Sequence, residues 1–124
     1  MGYYISAYDE NENEIAYLRV YPGGFVMTRE LGYDWFKLID ASECNGGVSG
    51  LAIEKNIKLD KLQKAVENLK NYDIKEKLTE FNPSSLQSLN ELWSSQKKEF
   101  LNFMSECINW CTSNKKSKIL IGFY

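Results

Sequence analysis

Residues 86–111 read LQSLNELWSSQKKEFLNFMSECINWC, and their spacing decides the fold. Leu86, Leu89, Trp93, Phe100, Phe103, Met104, Cys107 and Cys111 keep to the period of one helix face over nearly the whole stretch. They predict one long amphipathic helix. Just upstream, Asn82-Pro83 offers a cap and a proline at the first helical position. In the last turns Leu101, Ile108 and Trp110 add apolar surface on other sides, so that end of the helix is expected to be buried on more than one side.

Such a stripe needs a layer to pack on, and the flanking sequence supplies strands. After a polar break at Asn114 to Lys118, Ile119 to Tyr124 is almost wholly apolar. A short run of that kind predicts a strand buried on both faces, central in a sheet. At the other end, Tyr3 to Tyr8 is rich in aromatic and branched residues, Asp9 to Glu14 is polar, and Ile15 to Tyr21 is again of strand type. The three segments predict a hairpin with a loop longer than the tight two-residue kind. In its second strand Ala16, Leu18 and Val20 alternate with Tyr17, Arg19 and Tyr21, an aliphatic face against a face of tyrosine and arginine.

Between the two ends lie Pro22, Gly23 and Gly24 as a stop, Phe25 to Thr28 as a short strand, and Asp34 to Ala41 as a short helix capped by Asp34. A glycine-rich turn at Asn45 to Gly50 follows. Asp60 with Gln63 has the spacing of a capping box, and Leu62, Ala65, Val66 and Leu69 predict a helix from Lys61 to Tyr72. Asp73 with Glu76 opens a shorter helix through Leu78 and Phe81. The expectation is one α+β domain over residues 1–124: a small antiparallel or mixed sheet from the N-terminal hairpin and the C-terminal strand, covered on one face by helices.

The bulk properties fit an ordinary globular domain. The chain has 124 residues, 44% hydrophobic and 26% charged, with a high aromatic share of 14%. Its net charge of −2 gives no electrostatic footprint for nucleic acid. The charge is unevenly spread: residues 1–50 hold eight acids and three bases, residues 51–124 nine acids and twelve bases. An acidic surface on the first half would suit a protein partner; lysines on the solvent faces of helices are the plainer account. Three cysteines, Cys44, Cys107 and Cys111, are not an even disulfide framework. There is no long apolar run and no leader-like segment, so no membrane contact and a cytoplasmic location are expected.

The chain has no histidine, which removes Ser-His-Asp and Cys-His catalysis and histidine metal sites together. Cys107 and Cys111 share a helix face, but they stand in the core stripe and read as small buried hydrophobes rather than metal ligands. No cofactor and no metal are expected. Asp34, Asp40 and Glu43 lack the spacing of a calcium loop.

Two features remain as candidate sites. The first is the tyrosine and arginine face, Tyr17, Arg19 and Tyr21, with Asp34 and Trp35 nearby, residue types enriched in binding hot spots. It points to a non-enzymatic protein that binds another protein, of the kind that small prokaryotic or phage inhibitors and immunity proteins represent. Cross-strand tyrosine packing is the structural alternative. The second is the glycine turn, where Asn45, Gly46, Gly47 and Ser49, with Arg29 for charge, could hold a nucleotide-like or otherwise phosphorylated small molecule. It matches neither the P-loop nor the GxGxxG pattern. A long apolar helix and an open sheet edge also leave room for a homodimer.

Overall fold

The computed structural model describes residues 3–20, 53–72 and 86–123. Four strands and two helices follow in the order β1 (Tyr3–Tyr8), β2 (Glu14–Val20), β3 (Ile53–Lys58), α1 (Leu59–Asn71), α2 (Leu86–Ser113) and β4 (Lys118–Phe123). The strands form one antiparallel sheet in the order β2-β1-β4-β3. β4 lies between β1 and β3, central as its apolar sequence predicts. Its burial is uneven: Ile119 and Ile121 are buried, while Leu120 between them is half-buried.

The period of two sorts the sheet residues into faces. Ile5, Ala7, Ala16, Leu18, Ile57, Ile119 and Ile121 point to one side and are at most 4% exposed. Onto them pack Leu62, Ala65 and Leu69 of α1 and Trp93, Phe100, Phe103, Met104, Cys107 and Cys111 of α2, in one continuous core. Both helices thus cover the same face, and the α+β layering expected from the sequence is the one observed. Each large side chain fully buried here contributes about 1.5–3 kcal/mol.

The β1–β2 loop is built around Asp9. Its Oδ1 accepts the backbone N–H groups of Asn11 (2.8 Å) and Asn13 (2.9 Å), and its Oδ2 accepts Asn13 Nδ2 (3.1 Å). Glu12 N–H donates to the Asp9 carbonyl (3.2 Å) and Asp9 N–H to the Asn13 carbonyl (3.0 Å). This is a three-residue hairpin loop whose last residue, Glu12, adopts φ 64°, a left-handed position more often taken by glycine. One residue further on, the register shifts: Ala7 faces Ala16 but Tyr8 faces Glu14, so Ile15 is bulged and packs half-buried against the core.

Two expectations are corrected. β3 (Ile53–Lys58) is a strand that the sequence does not announce, because Glu54, Lys55, Asn56 and Lys58 leave only two isoleucines to signal it. The Asp60–Gln63 capping box does not form. β3 runs directly into α1, so the cap position falls on Lys58, without a side-chain cap bond, and Asp60 is already inside the first turn. The Leu59 N–H instead donates to the Ser117 carbonyl (2.8 Å), and Asp60 Oδ1 accepts the Lys61 N–H (2.9 Å).

At its other end α1 is tied to α2. Lys97 Nζ donates to the carbonyls of Lys70 (3.2 Å) and Tyr72 (3.5 Å), which the helix end leaves without intrahelical partners. Beside it the rings of Tyr72 and Trp93 stand 5.5 Å apart, tilted by 54°. Helix α2 ends in a Schellman turn: Lys116 N–H reaches the Cys111 carbonyl (2.8 Å) and Lys115 N–H the Thr112 carbonyl (3.4 Å). Its left-handed residue is Lys115, at φ 55°. Lys116 also pairs with Glu10, joining this turn to the β1–β2 loop.

Candidate partner-binding surface

The expected tyrosine and arginine face begins with the alternation of β2. Because Ala16 and Leu18 point into the core, Tyr17 and Arg19 stand on the opposite side of the strand. Both are exposed; Tyr17, at 51%, is the one exposed large hydrophobic among the described residues. The described helices pack on the other face of the sheet, but β2 is its edge strand, and there Tyr17 and Arg19 also border a groove beside α2.

The centre of that face differs from its margin. Tyr17 pairs across β1 with Ser6, and Ser6 with Gly122 of β4. Ser6 is fully buried and donates its hydroxyl to Glu14 Oε2 (3.4 Å), and Gly122 is buried as well. Exposure on that face thus lies at its two margins, at Tyr17 and Arg19 of β2 and at Glu54, Asn56 and Lys58 of β3 with Lys118 of β4.

At the first of these margins β2 runs beside α2. Tyr17, Leu18 and Arg19 face Glu99, Asn102 and Glu106 across a groove of about 340 Å³, with the buried Phe103 at its base. The strand wall carries a guanidinium and a phenol, and the helix wall carries two carboxylates and an amide. The helix residues recur at intervals of three and four, a line running next to the core stripe. Their spacing places them on one side of α2, but which side lies along β2 is set by the tertiary packing.

The other candidate residues fall elsewhere. Tyr21, Asp34 and Trp35 of the first site, and Arg29, Asn45, Gly46, Gly47 and Ser49 of the second, lie outside the described residues. So do the Phe25 to Thr28 strand, the Asp34 to Ala41 helix, the helix opened by Asp73 and the Asn82-Pro83 cap. The structure brings together Tyr17 and Arg19 and adds Glu99, Asn102 and Glu106 to them.

A second concavity, of about 350 Å³, sits at the end of the sheet between the β1–β2 loop and the α2–β4 turn. Half-buried Tyr8, Trp110 and Leu120 line it, with Glu12, Lys116 and Lys118 at hand. Next to it Lys58 faces Lys118 across the β3–β4 pair, beside a hollow of about 400 Å³ at the start of α1.

The titratable groups in the core are chemically quiet. Cys107 and Cys111 are both fully buried, and burial pushes both thiols up from their ordinary range, so thiolate is suppressed at neutral pH. Among the described residues no group of three or more Cys, Asp or Glu is placed to hold a metal ion. No described helix is long and apolar enough to cross a membrane. No protein-family model, no curated protein and no solved structure matches the chain.

Proposed function

We propose that the chain is a non-enzymatic binding protein, of inhibitor or immunity type, that presents the β2 margin and the adjoining line of α2 to a protein partner. One observation carries this reading: Tyr17 and Arg19 are exposed together at the wall of a groove whose other wall is Glu99, Asn102 and Glu106. An exposed tyrosine beside an arginine is the composition of a binding hot spot, and a surface bearing both charges can fix the register of a partner. Such an interface needs no cofactor and acts through contact alone.

The test has two steps. Native mass spectrometry of the protein purified from its own host lysate identifies a partner at fixed stoichiometry. The Tyr17→Ala/Arg19→Ala double variant is then titrated against that partner. Loss of affinity by a factor of about 100 or more, with an unchanged melting temperature, is the expected result, since hot-spot truncations cost about 2 kcal/mol or more each. Full affinity in the double variant would refute the reading. A bound mass of a few hundred daltons in place of a protein would move attention to a small ligand and to Asn45, Gly46, Gly47 and Ser49.

A further inference from the structure

We draw no further inference here: the strongest candidate, the concavity of about 350 Å³ between the β1–β2 loop and the α2–β4 turn, is lined around Trp110 by carboxylates and lysines in near balance, and nothing in the structure selects the class of ligand it would take.

Discussion

Replacing Lys115 by glycine should stabilise the protein, by an amount that the Schellman turn allows to be worked out. Lys115 sits at φ 55°, where its Cβ crowds the backbone. A non-glycine residue there costs roughly 1–2 kcal/mol. Glycine removes that cost but returns roughly 0.5–1 kcal/mol through the greater freedom of the unfolded chain. The backbone difference is thus a gain of about 0.5–1 kcal/mol. The lysine charge just beyond the end of α2 also interacts with the helix dipole, by about 0.3–1 kcal/mol. Lys115→Gln removes that charge while keeping the Cβ, so it is the proper reference. In urea denaturation followed by circular dichroism, Lys115→Gly should exceed Lys115→Gln by about 0.5–1 kcal/mol at an unchanged m value. In a thermal melt that is about 2–4 °C for a chain of this size. Lys115→Val should fall below both, since a branched side chain fits this region worst. Glycine equal to or less stable than glutamine would refute the reasoning, because it would mean that the turn at Lys115 is not left-handed or not retained in solution.

Gln96 is 4% exposed on the core side of α2, and its Oε1 has no hydrogen-bond partner. Gln96→Met, which keeps the side chain's length and removes the orphaned acceptor, should raise unfolding free energy by about 1–2 kcal/mol in the same urea assay. Asp9 is held below the usual carboxylate range, chiefly by the backbone N–H of Asn13. Its contribution is fully present above the ordinary aspartate value and is lost as the pH falls through its lowered one. The stability difference between the natural chain and Asp9→Asn should therefore be largest near neutrality and shrink in acid, in denaturation curves recorded from pH 7 to pH 2. A constant difference would sink that account. Cys107 and Cys111 should not react with a water-soluble disulfide reagent at neutral pH until urea unfolds the chain. Phe100→Ala, deleting one of the largest fully buried side chains, should cost about 3–5 kcal/mol.

Sequence periodicity revealed the layered core because burial acts on every turn or every second residue. The α2 stripe from Trp93 to Cys111, the alternation at Ala16 to Arg19 and the apolar run at Ile119 all survive in the structure for that reason. β3 escaped notice because a marginal strand can be almost entirely polar, its place set by pairing with β4 rather than by its own composition. The capping box at Asp60 failed for a related reason: a tertiary bond to Ser117 began the helix two residues earlier than the local pattern would. For the candidate surface, alternation placed Tyr17 and Arg19 correctly on one side. It had no means of showing that α2 contributes Glu99, Asn102 and Glu106 to the same groove, since that depends on which helix line lies along β2.

The pairing of β1 with β4 has a consequence for how the protein is made. Ile5 meets Phe123 at the middle of the sheet, so the central ladder joins segments separated by nearly the whole described chain. Closing so long a loop is entropically costly, and contacts of high sequence separation slow folding. In synthesis Ile5, Ala7, Ala16 and Leu18 of the β1–β2 hairpin emerge before α2 and β4, which complete their cover. The nascent chain therefore carries an adhesive strip until those elements follow, and its yield in the cell should depend on chaperone capacity more steeply than its final stability would suggest.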